Sequence, residues 1–360
     1  MPKAFKKKHV IDKEDVKKGQ LQVKSLIKPY GWYDYILVNF SGGKDSIAMI
    51  LTLFDQGVKP SQIIVFHQCI DGKHGTDTHT ELFDWPATEG YVYQFCKHFK
   101  LALWWQWREH GFYGEIMKRD RVSYGVHNQI ETFTDQKNTD LYLAPEFANA
   151  SFRLKFPAKS GDISQRWCSG QLKIDPASRV VNNHPLFSKE KAVQREIRIL
   201  WLTGERREES TNRAHYDKAL LPKMHSGFRF VHQYRLVLDM TEEKVWELIE
   251  KNKILPHPAY YLGFPRLSCR TCIFYTKDHW KTIAQVDPQA VVKIIQLEKE
   301  LNFTIDNKFT VTEMIKLGTT FIDDDNKKFI PQAVTFWNNS IITDNWKLPK
   351  GAFGEGGGSI

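Results

Sequence analysis

The residues best suited to chemistry begin with Ser41-Gly42-Gly43-Lys44-Asp45-Ser46, which follows an apolar run and opens a helical pattern. Adjacent glycines let a backbone approach a ligand closely. The N–H groups of a helix start donate to an anion, and Lys44 adds positive charge, so the hexapeptide is expected to bind phosphate. It is not a Walker A loop, whose glycines stand five positions apart before Lys-Ser/Thr. A second cluster is Gly204-Glu205-Arg206-Arg207-Glu208-Glu209-Ser210, with Arg213 beyond it. Its guanidinium groups suit a polyanion, with Arg206 and Arg213 as the chosen contacts; the competing reading is an exposed, salt-bridged helix start. The third is Cys269-Arg270-Thr271-Cys272, a spacing that lets two thiolates reach one metal or cluster, with Cys168 as a candidate third ligand. Three thiols suit an iron–sulfur cluster with one open iron, or a zinc completed by a histidine such as His257. A redox dithiol and a pair of inert buried thiols are the other readings of this C-x-x-C.

Elements that would position these groups can be read from the pattern. Tyr33 to Phe40 is a buried strand by composition, Asp45 to Gln56 a helix stopped at Gly57, and Ile63 to Ile70 a second strand. This strand–loop–helix–strand order predicts an α/β fold, with a parallel twisted sheet, helices on both faces and a ligand site at the carboxyl ends of the strands. Tyr91 to Phe99 reads as a helix, Leu101 to Trp107 as a strand, and Ile197 to Thr203 as another that leads into the arginine cluster. The tryptophans of Leu101 to Trp107 are assigned to core packing over base stacking. Periodicity fades over 111–166, which is expected to be an insertion with an exposed stretch near Thr132 to Asp140. His67, His74, Asp77 and His79 match no ligand spacing and are read as a solvated loop. From Thr241, an expected cap, helices are expected to dominate, including 287–301 and 311–317. The expected organisation is a basic arm over 1–30, an α/β domain over 31–238, a smaller, mainly helical C-terminal region over 239–345 and a flexible Gly-rich tail over 346–360.

The chain has 360 residues, 41% hydrophobic and 26% charged, which excludes disorder as its main state. Its 51 Lys+Arg against 42 Asp+Glu leave +9, suggesting an anionic partner such as a nucleotide or nucleic acid. Part of that excess lies at Lys3, Lys6, Lys7, Lys8, Lys13, Lys17 and Lys18, which reads either as a nucleic-acid-contacting arm or as a solvated terminus. Five scattered cysteines fit a reducing compartment, and no apolar run is long enough for a membrane span, so a cytoplasmic protein without membrane contact is expected.

Together the motifs resemble a known group. The loop SGGKDS after a buried strand is similar to the PP-loop of the ATP pyrophosphatase superfamily, whose fold is adenine nucleotide alpha hydrolase-like. GERREES, RWCSGQLKIDP with Cys168, Lys173 and Pro176, and the stretch carrying RLVLDMTEEKVW, HPAYYLGF and RLSCRTCIF resemble the phosphoadenosine phosphosulfate (PAPS) reductase family, closest in kind to its DNA phosphorothioation sulfurtransferase-like members. The resemblance implies ATP and Mg²⁺ as cofactors, with a 4Fe-4S cluster, or zinc, on Cys168, Cys269 and Cys272. It implies nucleotide or phosphate contacts at Ser41, Gly42, Gly43, Lys44, Asp45, Ser46, Asp71, Gly204, Arg206, Ser210 and Arg213, with Lys44, Asp45 and Arg206 catalytic. Two departures bear on activity: no cysteine follows Cys272, where reductases of this family carry a nucleophile in a Glu-Cys-Gly context, and Trp167-Cys168 stands where cluster-bearing reductases have Cys-Cys. The expected activity is therefore substrate adenylation with pyrophosphate release for sulfur transfer, with nucleic acid as substrate and a sulfur-donor or thioredoxin-like protein as partner. The alternatives are sulfonucleotide reduction and a nucleotide-binding regulator without turnover.

Overall fold

The structure, a computed structural model, describes residues 27–354 except 120–121, 134–138, 146–149, 151 and 163. The basic residues Lys3 to Lys18 and the last six residues of the tail lie outside the described residues. Eight strands form one sheet in the order β5-β4-β3-β2-β1-β6-β8-β7. They are β1 Tyr35–Asn39, β2 Ile63–Gln68, β3 Ala102–Arg108, β4 Val126–Glu131, β5 Thr139–Leu143, β6 Ile197–Leu202, β7 Ala219–Leu220 and β8 Arg229–Tyr234. β1, β2, β3, β6 and β8 run parallel, and the remaining three are antiparallel additions at the two edges.

Alternate strand residues feed two cores, as a sheet covered on both faces requires. Ile36, Val38, Val65, Leu103, Trp105 and Leu202 pack with helices α1 (Lys44–Asp55) and α2 (Ala87–Phe99). Leu37, Phe66, Trp104, Ile199 and Trp201 pack on the other face against α3 (Asp175–Asn183). Trp104, Trp105 and Trp107 are all core residues, 2–4% exposed, so none is a platform for bases. Gly57, at φ +80°, follows Gln56, the C-cap of α1.

The region after Tyr234 is helical: α4 (Glu242–Lys251), α5 (Lys277–Val286), α6 (Pro288–Leu301) and α7 (Val311–Leu317). Thr241 caps α4, its hydroxyl accepting from the Lys244 N–H at 3.3 Å. α4 packs into the first core through Val245, Trp246, Leu248 and Ile249, whereas α5, α6 and α7 share a third core with Ile70, Phe83, Trp85, Phe112, Phe156 and Trp167 from the first half of the chain.

Two expectations are corrected. The 111–166 stretch is not simply an exposed insertion: Gly111–Ile116 is a buried helical turn, and β4 and β5 extend the sheet through backbone ladders. Those ladders leave little hydrophobic signal, because β5 is exposed or half-buried throughout and β4 presents His127, Gln129 and Glu131. Nor is the tail a free linker from residue 346. Trp346 donates its indole N–H to Ile254 O at 2.8 Å, and the buried Gly351 donates its N–H to Tyr260 O at 2.8 Å. A Cβ at Gly351 would stand 2.2 Å from Phe264 O, so only glycine passes there. Among the described residues no helix is long and apolar enough to cross a membrane.

Candidate nucleotide site

The chain places β2 on one side of β1 and β6 on the other, so the order reverses between β1 and β6. Such a switch point opens a crevice outside the carboxyl ends of the two strands. The loop Ser41–Gly43 leaves β1 there, and Gly204–Ser210 leaves β6 there. Gly42, at φ +77°, makes the turn that L side chains disfavour. Gly204 passes the first turn of α1, where a Cβ would lie 3.2 Å from Met49 Cε and 3.6 Å from Asp45 C.

The two motifs touch. Arg206 donates from Nε to Asp45 Oδ1, from Nη1 to Glu208 Oε2 at 2.8 Å, and stands 3.6 Å from Glu242 Oε2. Lys44 Nζ donates to Pro265 O at 2.9 Å and lies 3.5 Å from Glu242 Oε1 and 3.9 Å from Asp45 Oδ2. Burial pulls the Lys44 ammonium down, but Asp45, Tyr260 and Glu242 outweigh it and hold its pKa above the usual value. Arg206 is raised likewise: burial pulls it down, and Asp45, Glu209 and Glu242 overcome that. Both cations therefore stay charged. Arg213 pairs with Glu209, and Ser210 caps the next short helix, its hydroxyl accepting from the Arg213 N–H at 3.3 Å. The salt-bridged reading of GERREES thus holds together with its position at the crevice.

Glu242, Tyr260 and Pro265 belong to this site and were not found from sequence. Glu242 reads as an ordinary first-turn acid of α4, and its second function needs the fold. Tyr260 lies in HPAYYLGF, where nothing marks which tyrosine matters. Its hydroxyl accepts from the Lys44 N–H at 2.9 Å and from the Leu267 N–H at 3.3 Å, tying the loop to the segment that leads into Cys269. Tyr260→Phe leaves two buried N–H groups unmet and is expected to cost about 1–3 kcal/mol, read as a lower midpoint in urea with an unchanged slope.

Asp71, just beyond β2, is 2% exposed. Its Oδ2 accepts from the N–H groups of Leu82, Phe83 and Asp84 at 2.9, 2.6 and 2.8 Å, shaping the loop that follows. His67 bonds Phe40 O at 2.8 Å, and burial pushes it down to about 4, so it is a neutral core residue. The other loop residues of that group do not assemble: among the described residues no three His, Cys, Asp or Glu are set to hold a metal ion.

Two carboxyls in this loop region respond to pH. Burial lifts Glu89 from 4.5 to about 7 and Asp84 from 3.8 to about 6, with His74, Lys73 and Asp71 among the groups that modulate them. The folded chain therefore binds protons there that the unfolded chain has released, and stability falls as pH rises. From pH 8 to pH 5 the protein is expected to gain about 2 kcal/mol through Glu89 after allowance for residual solvent. Glu89→Gln should remove that part of the slope in thermal melts.

Cys272 raises the pKa of Cys168 and Cys269, and Cys269, Asp84, Cys168 and Cys272 raise that of Lys173 against the effect of burial. Burial lifts Cys168 to about 11 and Cys269 far above its usual range, so these thiols are protonated. His257 is fully buried at the cap of Pro258–Tyr261, against the rings of Trp85 and Tyr91, and burial lowers it to about 3.

Residues 126–274 match the phosphoadenosine phosphosulfate reductase domain, a span that holds the Gly204–Ser210 motif and all three clustered cysteines and begins after the Ser41–Ser46 loop. An adenosine 5'-phosphosulfate reductase of Burkholderia cepacia is 26% identical over 158 residues, 44% of this chain and 52% of that protein. The chain thus spans about half the length of that relative. An uncharacterized 37.8 kDa protein in the gpa 5' region of Escherichia phage 186 is 25% identical over 278 residues, 73% of this chain and 74% of the other. Among solved structures, Candida glabrata FMN adenylyltransferase in complex with FMN and the ATP analog AMPCPP superposes with a TM-score of 0.37 at 10% identity, covering 91% of this chain and 85% of that one. Over residues 126–274, then, the chain is similar to the phosphoadenosine phosphosulfate reductase domain.

Proposed function

We propose that the chain binds ATP at the Ser41–Ser46 loop and adenylates an acceptor, releasing pyrophosphate, for later sulfur transfer. The observation that carries this reading is the contact of Arg206 with Asp45, which joins the β1 and β6 loops in one crevice. An acceptor oxygen attacks the α-phosphorus, a P–O bond forms, the bond to the β-phosphate bridging oxygen breaks, and pyrophosphate carries off the electron pair. Sulfide, supplied by a donor protein, then attacks the activated centre, the bond to the AMP oxygen breaks, and AMP leaves with the electron pair. The protein's part is positioning and charge neutralisation. Lys44 and Arg206 offset the developing negative charge, the loop N–H groups and Ser46 orient the phosphates, and Arg213 and Ser210 border the same crevice. Mg²⁺ takes hard oxygen donors and commonly keeps one or two carboxylates beside phosphates. Asp45 and Glu242 are carboxylates of that kind. The net charge of +9 supports a nucleic-acid acceptor.

A cluster or zinc on Cys168, Cys269 and Cys272 suits the donors by type and not by arrangement: the three thiols form no metal-ligand group among the described residues. No step is routed through one. The second reading, sulfonucleotide reduction with a Cys269/Cys272 thiol or a thioredoxin-like partner as nucleophile, is favoured by the name of the Burkholderia cepacia relative.

The test is calorimetry with Mg²⁺ on anaerobically purified protein, followed by product analysis. ATP is expected to bind in preference to PAPS, with pyrophosphate released in the presence of acceptor. Preference for PAPS with thiol-dependent sulfite release would replace this reading with the reductase.

A further inference from the structure

A cavity of about 270 Å³ lies past the carboxyl end of β2, between the loop of Asp71 to Glu89 and the segment Val334 to Phe336. Its polar lining is acidic: Asp71, Glu81, Asp84 and Glu89 with His74 and His79, and no lysine or arginine. Several of these groups are already committed, and what is left over defines the occupant. Asp71 spends Oδ2 on three backbone N–H groups, and its Oδ1 is buried without a partner. His79 Nδ1 lies 2.8 Å from Gly72 O, which can only accept, so Nδ1 carries the proton and the unpartnered Nε2 presents a lone pair. Glu89 accepts the His74 N–H at 3.0 and 3.1 Å and keeps further acceptor capacity. Trp85, 2% exposed, adds a buried indole N–H without an acceptor.

Buried acceptors left unmet are costly, so a complementary ligand must bring several donors. A bare metal ion does not fit, because no three of these donors converge on one point. A guanidinium does: it carries five N–H donors in a rigid plane and spans acceptors set apart along a wall. The remaining lining offers the aromatic surfaces on which such a plane stacks, Trp85 and Phe336, the latter with the His74 ring at 4.7 Å. The indole N–H calls for an acceptor elsewhere on the same molecule, such as a carboxylate. We propose that this cavity is a binding site for a small guanidinium compound of the arginine type, its guanidinium on Asp71, His79 and Glu89 and its carboxylate toward Trp85. The cavity shares Asp71 with the nucleotide contacts that the resemblance implies, but none of the Lys44, Arg206 and Glu242 cluster lines it.

Titration calorimetry of the full chain at pH 8, without nucleotide, tests it with L-arginine, agmatine, L-citrulline and an acetylated, amidated Gly-Arg-Gly peptide. L-arginine is expected to bind, agmatine to bind about 10-fold more weakly for want of the carboxylate, and the uncharged L-citrulline to give no heat. Glu89→Gln and Asp71→Asn are each expected to weaken L-arginine by about 10-fold or more. Because Asp71 also shapes its loop, circular dichroism checks that variant, and Glu89→Gln decides if Asp71→Asn does not fold. The proposal is overturned if neither L-arginine nor agmatine binds, if L-citrulline binds as well as L-arginine, or if Glu89→Gln leaves affinity unchanged. Tighter binding of the peptide than of free L-arginine would also overturn it, by making the site a docking point for a protein arginine. Mn²⁺ binding that L-arginine cannot displace would do so in favour of a metal.

Discussion

Lys44→Ala is expected to lower ATP-dependent pyrophosphate release by about 10²–10³-fold, the loss seen when one preorganised group facing developing charge is removed. Lys44 is 4% exposed, and its ammonium is held by Pro265 O and Glu242 at the mouth of the α1 N-terminus. That tether fixes the charge before substrate arrives, so little reorganisation is needed at the moment of reaction. Lys44→Arg should retain part of the activity, because it keeps the charge while changing its geometry. Fold is not at risk in Lys44→Ala to the same degree, since Glu242 keeps Arg206 as a partner. The variant is assayed for pyrophosphate under saturating ATP beside a calorimetric Kd. A rate within about twofold of the parent would remove Lys44 from the chemistry.

How much of this was legible beforehand depended on the range of the signal. The Ser41–Ser46 loop, β1, α1 and β2 were readable because strand composition, adjacent glycines and helical spacing all act over a dozen residues. Thr241 as a cap and α6 and α7 were readable for the same reason. β4 and β5 were not, because this antiparallel extension of the sheet is held by backbone pairing and carries little apolar pattern. The partners of the site were invisible too: Glu242 and Tyr260 lie about 200 positions from Lys44, and nothing local distinguishes them from a dipole-favouring acid and a core tyrosine. Arg206 was singled out from its place after β6, and its pairing with Asp45 follows only from the strand order. The tail misled for a compositional reason. Glycine signals freedom in isolation, but at Gly351 it marks a close backbone approach.

Arg206→Ala is expected to destabilise the protein by about 3 kcal/mol, because it strips the counter-charge from carboxylates that a fold can barely hold unpaired. The guanidinium is 2% exposed and reaches Asp45, Glu208, Glu242 and Met240 O. Without it, Asp45 and Glu242 face each other with Lys44 as their cation. The cost should appear as a fall of roughly 4 °C in melting temperature for a chain of this size. A second substitution separates charge from packing: Asp45→Asn removes one of the stranded carboxylates and should restore part of the stability lost in Arg206→Ala, whereas losses that simply add would mean that the two side chains do not interact. The same cycle bears on function. Polyphosphate bound in the crevice supplies Arg206 with new acceptors and repels Asp45 and Glu242 unless a cation bridges them. ATP with Mg²⁺ should therefore raise the melting temperature of the parent more than ATP alone, and raise that of Arg206→Ala little in either case.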